Sequence, residues 1–355
     1  MSVAPLRVAV LGAGTVGREV VRAFTEWPDR LVVDGGPRLD LVGIAVRDVD
    51  AARRRGLPAE LVTDAPAHLV ADPDTDVIVE LMGGDEPART LVAAALEAGK
   101  SVVTANKHVL AHHGAELEAI ARRTGAQLRF EASVGGGIPV LGPLAGELAA
   151  NRVTAVRGIV NGTTNYILTA MTEEGRGYDE VLAAAQAAGY AEADPAGDVE
   201  GHDAVNKLII LARLAFGAWL EPGEVTTIAM DGPGAGRPGI SGVTSGDIEA
   251  ARSRGMVIKL VALAERSHED VRASVVPTLL AADSALGRTN GVLNRIEIDA
   301  EPLGTVAFSG PGAGGAATSS AVLGDLLAVA REAGSTWAGL PPAGRLTGPL
   351  SRLAR

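Results

Sequence analysis

Short apolar runs alternate with amphipathic segments through the first third of the chain, the pattern of a doubly wound parallel sheet. Leu6–Leu11, Leu41–Val46, Val77–Leu81, Ser101–Thr104 and Gln127–Phe130 are expected as its strands. Between them, Pro87–Ala98 is expected as a helix, with proline in the first turn and Gly99 ending it. After Gly135-Gly136-Gly137 the texture changes. A β-like Val153–Val160 precedes helical patterns at Tyr178–Ala188 and Asp203–Phe216, and β-like Val271–Leu279 and Gly291–Ile298 follow. This mixture reads as a second, α+β domain. Asp231–Gly242, rich in glycine and proline, is expected to be a surface loop. A glycine-rich turn at Gly310–Gly315 opens a last helical pattern to about Ala333, which is expected to pack back on the first domain.

The first strand runs straight into Gly12-Ala13-Gly14-Thr15-Val16-Gly17 and a helix. That context is the one a dinucleotide-binding turn requires: glycines allow the tight bend and the close approach of a pyrophosphate, and the helix N-terminus supplies N–H groups to it. The fold class is therefore α/β, a Rossmann-type dinucleotide-binding domain over residues 1–133. A second, α+β domain is expected over 134–303. Residues 304–355 form a returning C-terminal segment whose tail, from Gly339, is expected to be partly disordered. The second strand ends Ala45-Val46-Arg47, with Asp48 one place later. An arginine at that tip suits a ribose 2′-phosphate and so NADP; an acidic residue there suits the 2′-hydroxyl of NAD, which leaves NAD open.

Composition narrows the function. A net charge of −11 and 3% aromatic residues argue against nucleic-acid binding, which needs a basic surface and stacking platforms. Without cysteine there is no disulfide, thiolate nucleophile or cysteine-ligated metal. The apolar run Leu208–Leu220 is interrupted by Arg213 and too short to span a bilayer, and the start lacks a leader pattern, so neither membrane nor secretion is expected. A cytoplasmic enzyme acting on a small molecule fits. Only four of the 32 basic residues are lysines: Lys100, Lys107, Lys207 and Lys259. A lysine kept in so arginine-rich a chain raises the question of whether a compact, titratable ammonium is needed there. His108 and His112 stand four apart and could pair on zinc, but without a third ligand nearby a polar helix face is the simpler account.

Asp203 and Lys207 also stand four apart, so on a helix they share a face and can pair, as any surface pair can. Their neighbourhood is unusual. Glu192, Asp194, Asp198, Glu200 and Asp203 all lie close in sequence to the one lysine and could receive a substrate's ammonium group. The string from Ala185 through Gly189-Tyr190, Glu192, Asp194-Pro195, Asp198 and Gly201-His202-Asp203 to Lys207 resembles, without a gap, the signature of the homoserine dehydrogenases. Val79–Gly84, Thr104–Lys107, Glu131–Pro139, Asn161–Tyr166 and Gly310–Gly315 resemble further segments of that family in the same order; Asp231–Leu293 carries none.

The resemblance implies NAD(P)-dependent interconversion of L-aspartate 4-semialdehyde and L-homoserine, in threonine, methionine and isoleucine biosynthesis. It implies Lys207 as proton donor, Asp203 as its partner, and Lys107 as a lysine reaching cofactor and substrate. Glu192, Asp198, Tyr190, Gly162 and Thr163 become the substrate side. Gly12, Ala13, Gly14, Thr15, Val16, Gly17, Arg47, Gly83, Lys107, Gly312 and Gly314 become the cofactor side. Glu131, Val134, Gly136 and Ile138 resemble a monovalent-cation site, for Na+ or K+, built largely from backbone carbonyls; a glycine turn without an ion is the alternative. The family also implies a homodimer through the second domain. The chain resembles its short form, without a C-terminal regulatory domain. A different oxidoreductase for a sugar or amino acid would share the glycine turn but not the Ala185–Lys207 string, and a silent NADP(H) sensor would be expected to have lost Lys207 or Asp203.

Overall fold

The computed structural model describes residues 4–267 and 270–344. Two compact units divide them, one built from the N-terminal part with Ala313–Pro342, the other from Leu148–Gly312 with Ala343 and Gly344.

The first unit is a six-stranded parallel sheet of β1 (Leu6–Leu11), β2 (Leu39–Ala45), β3 (Val62–Thr63), β4 (Val77–Glu80), β5 (Ser101–Thr104) and β6 (Leu128–Arg129), in the order β3-β2-β1-β4-β5-β6. β1 and β4 sit at the centre and are almost wholly apolar and buried, as strands covered on both faces must be. The topology reverses on either side of β1, which places ligands beyond the carboxyl ends of the central strands. The two-residue β3 went unpredicted because it is too short to carry a period. Helix Gly315–Ala330 belongs to this unit. Its Val322, Leu326, Val329 and Ala330, at helical spacing, share a core with Val8, Val10, Val79 and Val103. Each such valine or leucine contributes about 1.5–3 kcal/mol by burial.

The second unit is a five-stranded antiparallel sheet of β7 (Arg152–Ile159), β8 (Met256–Ser267), β9 (Asp270–Ala281), β10 (Leu293–Glu301) and β11 (Gly304–Pro311), in the order β11-β10-β7-β8-β9. Helix His202–Phe216 packs on β7, β8 and β9 and is buried nearly all round, which accounts for the long apolar run there. No helix among the described residues is long and apolar enough to cross a membrane.

The unit boundaries differ from the expected 133/134 and 303/304. Glu131 caps helix Leu141–Ala145 and Gly137 packs on Ala317, which holds the glycine segment in the first unit. Residues Gly304–Pro311 are not part of the return: they pair with β10 along its whole length as the sheet's edge strand. β8 was missed because its centre is a continuous apolar run without alternation, which a helix can equally present. The tail expectation falls largely on residues 345–355, outside the described residues.

Candidate functional site

In the first unit the chain leaves β1 at Leu11 and bends at Gly12, with φ at +100°. A Cβ at Gly12 would lie 2.7 Å from the Leu81 carbonyl, and one at Gly17 would lie 2.0 Å from the Gly12 oxygen. Only glycine fits either place. Gly14 faces open space at the N-cap of helix Thr15–Glu26, which has no side-chain cap, so the N–H groups of Thr15, Val16 and Gly17 are left for an anion. The turn therefore fits a pyrophosphate. Beyond β2, Arg47 is exposed and makes no ion pair among the described residues. Asp48 is occupied: its carboxylate accepts the Ala51 N–H at 2.8 Å as N-cap of helix Val49–Arg54.

Lys107 opens helix Lys107–Thr124, whose N-cap Asn106 accepts from the Val109 N–H and donates to the Gly84 carbonyl at 2.8 Å. One side chain thus ties the Gly83-Gly84 turn to Lys107. Of the two C-terminal glycines, Gly314 is the open N-cap of helix Gly315–Ala330, and Gly312 packs so tightly on Asn294 of its own unit that a Cβ would meet that side chain at 2.2 Å.

The Glu131 carboxylate does not point to a free cation site. It accepts the N–H groups of Val140, Leu141 and Gly142 at 2.7–2.8 Å, while its own N–H donates to Asp325, which also takes the Arg129 guanidinium at 2.8 Å. Burial pushes both carboxyls up from their ordinary range, and the Asp325 charge adds to the shift at Glu131. Val134, Gly136 and Ile138 are buried beside this cluster and have only main-chain oxygens to offer.

In the second unit, helix His202–Phe216 presents Asp203 and Lys207 one turn apart, and Lys207 Nζ donates to Asp203 Oδ2 and to the Val160 carbonyl, both at 2.6 Å. Lys207 is 8% exposed. An ammonium has three hydrogens, and with two committed the third has no acceptor among the described residues. Asn161 completes the arrangement. Its amide donates to Asp198 Oδ1 at 2.7 Å and to Asp203 Oδ2 at 2.9 Å, while its oxygen caps helix Gly162–Glu174 through the Thr164 N–H. The Asn161 amide is the shared donor that sets the two carboxylates in place. Gly162 begins that helix, and Thr163 donates to the Tyr190 carbonyl at 2.8 Å, where the half-exposed Tyr190 ring lies 4.8 Å from Tyr166.

The expected crowding of carboxylates on the lysine is corrected. Of the five, Lys207 bonds only Asp203; Glu200 meets His202 at 3.3 Å, Asp194 accepts the Ala196 N–H, and Glu192 is exposed. Nor do the histidines after Lys107 form a metal cluster among the described residues: His108 stacks on His112, and His113 bonds Asp85 at 2.8 Å.

Sequence reasoning passed over Asn161 as a positioning group, although an asparagine just before a helix is a capping signal. It also passed over what holds Asp198 and what holds the substrate-side helix. Gly239 and Ile240 of the supposed surface loop are buried; the Ile240 N–H donates to the Val199 carbonyl at 2.7 Å, so this loop clamps the segment carrying Asp198. Lys259, in the first half of β8, donates to Asn165, Thr169, the Thr289 carbonyl and Asn290 at 2.9–3.2 Å, anchoring helix Gly162–Glu174 from behind. Even with four oxygen partners, burial pulls Lys259 down from 10.5 to about 8. Between these values the unfolded chain holds a proton that the folded chain has released, so stability rises with pH across that window. From about pH 7.5 to 9.5, wild type should gain about 2 kcal/mol of unfolding free energy relative to Lys259→Met in urea titrations. A difference that does not change with pH would show that the ammonium is held at no cost.

The sequence profile described as homoserine dehydrogenase matches residues 139–327, and the one described as homoserine dehydrogenase, NAD binding domain, matches residues 12–131. The homoserine dehydrogenase of Corynebacterium glutamicum is 45% identical, over 94% of this chain and 76% of its own length. That of Bacillus subtilis is 40% identical over 92% and 73%. Among solved structures, a homoserine dehydrogenase from Thiobacillus denitrificans superimposes with a TM-score of 0.87 at 39% identity, covering 93% of this chain and 74% of that one. A glycine cradle on a parallel sheet, a buried lysine–aspartate pair with a hydrogen to spare, and relatives that span nearly the whole chain agree, and the chain belongs to the homoserine dehydrogenases, NAD(P)-dependent oxidoreductases.

Proposed function

We propose that Lys207 delivers the proton in the reduction of L-aspartate 4-semialdehyde to L-homoserine, with NADP(H) as the preferred cofactor. The observation that carries the first part is the third Nζ hydrogen, held pointing by two bonds to Asp203 and Val160. The bound nicotinamide supplies the hydride. Lys207 then protonates the aldehyde oxygen, and in reverse takes the proton from the alcohol. Asp203 fixes the ammonium, and the Asn161 amide fixes Asp203. Asp198 and Glu192 receive the substrate's ammonium group, with Gly162, Thr163 and Tyr190 beside it, and Lys107 reaches cofactor and substrate. Gly12, Ala13, Gly14, Thr15, Val16 and Gly17 hold the pyrophosphate, and Gly83, Gly312 and Gly314 line the rest of the cofactor.

NADP is favoured because Asp48 is spent as a helix cap while Arg47 is exposed and makes no ion pair among the described residues. One structural relative, a hyperthermophilic archaeal homoserine dehydrogenase at 28% identity and a TM-score of 0.76, is described in complex with NADPH. A monovalent cation, if bound, would take the main-chain carbonyls of Val134, Gly136 and Ile138 together with that of Glu131, whose carboxylate is already used. It would brace the glycine segment without touching the redox step. The enzyme acts as a cytoplasmic homodimer serving threonine, methionine and isoleucine biosynthesis.

The test follows loss of reduced-nicotinamide absorbance with the semialdehyde and either NADPH or NADH, for wild type and Arg47→Ala. NADPH should give the higher kcat/KM, and Arg47→Ala should lower it about tenfold, the worth of a charge-assisted phosphate contact, while leaving NADH within about twofold. Equal losses with both cofactors would remove Arg47 from the 2′-phosphate. Binding of both without turnover would point to a silent sensor.

A further inference from the structure

The end of β4 carries a carboxylate that the reaction does not use. Glu80 is 0% exposed, yet it has no arginine or lysine partner among the described residues, and every group that bonds it is a donor. Its Oε1 accepts the Met82 N–H at 2.8 Å and the Gly83 N–H at 3.2 Å; its Oε2 accepts the Thr104 hydroxyl at 2.6 Å. Thr104, its register partner on β5, in turn accepts the Asn106 N–H at 2.9 Å. Asn106 closes the ring by donating to the Gly84 carbonyl and capping the helix that begins with Lys107. Gly83 and Gly84 have positive φ and open space around them, so their main chain is free to meet a ligand, and the turn's shape is fixed by Glu80 from one side and by the Asn106 amide on the Gly84 carbonyl from the other.

We propose that Glu80 is a positioning residue for the cofactor site: its buried carboxylate sets, through two N–H groups and the Thr104 hydroxyl, both the Leu81–Gly84 turn and the start of the Lys107 helix. This rests on the reading that Gly83 and Lys107 meet the cofactor. The chemistry explains why a carboxylate stands there. Two oxygens must accept three donors converging from two strands' ends, and only an ionised carboxyl is an acceptor on every side. Burial pushes its pKa up, and the hydrogen bonds from Thr104, Met82, Gly83 and Asn106 oppose that shift. A glutamine of the same size must turn an N–H toward one of these donors and leave the Thr104 hydroxyl or a turn amide without an acceptor.

The experiment titrates NADPH by its fluorescence and measures kcat for wild type, Glu80→Gln, Thr104→Val, Thr104→Ser and Lys107→Ala, with melting temperatures taken in parallel. Glu80→Gln and Thr104→Val should each weaken NADPH binding and lower kcat about tenfold, and Thr104→Ser, which keeps the hydroxyl, should stay within about twofold of wild type. A lower melting temperature with wild-type NADPH affinity and kcat at 25 °C for Glu80→Gln would reduce the network to a scaffold and overturn the proposal. Impaired Lys107→Ala beside silent Glu80→Gln would sink the proposal alone; both silent would sink the cofactor reading with it.

Discussion

Lys207→Met is expected to lower kcat for semialdehyde reduction by about 10²–10⁴-fold, the usual worth of a positioned proton donor. Methionine keeps the length and apolar stem and removes all three hydrogens, so the loss isolates the ammonium. NADPH affinity should be unchanged, because the cradle from Gly12 to Gly17 lies in the other unit. Some stability will be lost as well: the Val160 carbonyl and Asp203 each lose a short bond, and an unsatisfied buried acceptor costs about 1–3 kcal/mol. Single-turnover reduction with the melting temperature measured on the same preparation separates the two effects. A variant that remains folded, binds NADPH and keeps more than about a tenth of wild-type kcat would take the proton from some other donor, with Lys107 or water the next to test. Asp203→Asn should be milder, since an asparagine oxygen can still accept from Lys207 while Asn161 loses one anionic partner.

What the residues announced in advance, and what they hid, follows from how local each feature is. The glycine turn was legible because its requirement is local: two positions a few residues apart where a Cβ collides with main chain. The Asp203–Lys207 pair was legible for the same reason, four residues on one helix. Most strands of the first unit were legible because each centres on a short apolar run bounded by polar turns, the two-residue β3 excepted. Hidden were the features built by partners far apart in sequence. Lys259 looks like a stray charge in an apolar run until β8 places it under Asn165, Thr169 and Asn290. Glu80 looks like the polar end of a strand until Thr104 arrives on the next one. The five acidic residues around Lys207 illustrate the opposite error. Closeness in sequence suggested a cluster, but Glu192 and Asp194 are exposed, Asp194 accepts the Ala196 N–H instead, and Asp198 is joined to the Asp203–Lys207 pair through Asn161.

The loop at residues 231–242 carries the second large effect, because the composition that marked it as surface conceals a contact with the substrate side. Gly239 sits at φ +56°, and a Cβ there would lie 2.1 Å from the Val199 carbonyl oxygen and 2.6 Å from the Glu200 carbonyl carbon. Gly239→Ala therefore meets two penalties at once: a left-handed backbone that disfavours a side chain by about 1–2 kcal/mol, and a clash with main chain that cannot rotate aside. The chain must yield by moving one segment away from the other. The Val199 segment holds the Ile240 N–H at 2.7 Å and leads one residue back to Asp198, whose carboxylate depends on a 2.7 Å bond from Asn161. A displacement of about an ångström there is enough to cost on the order of 10²-fold in kcat/KM for homoserine. NADPH binding should be unaffected. The contrast with Gly236→Ala makes the result specific: Gly236 also has positive φ, but a Cβ would find open space, so it pays the backbone penalty without the clash and should keep kcat/KM within about threefold. If both alanine variants turn over homoserine alike, the loop does not hold Asp198 in place, and the bond from Asn161 alone suffices to orient it.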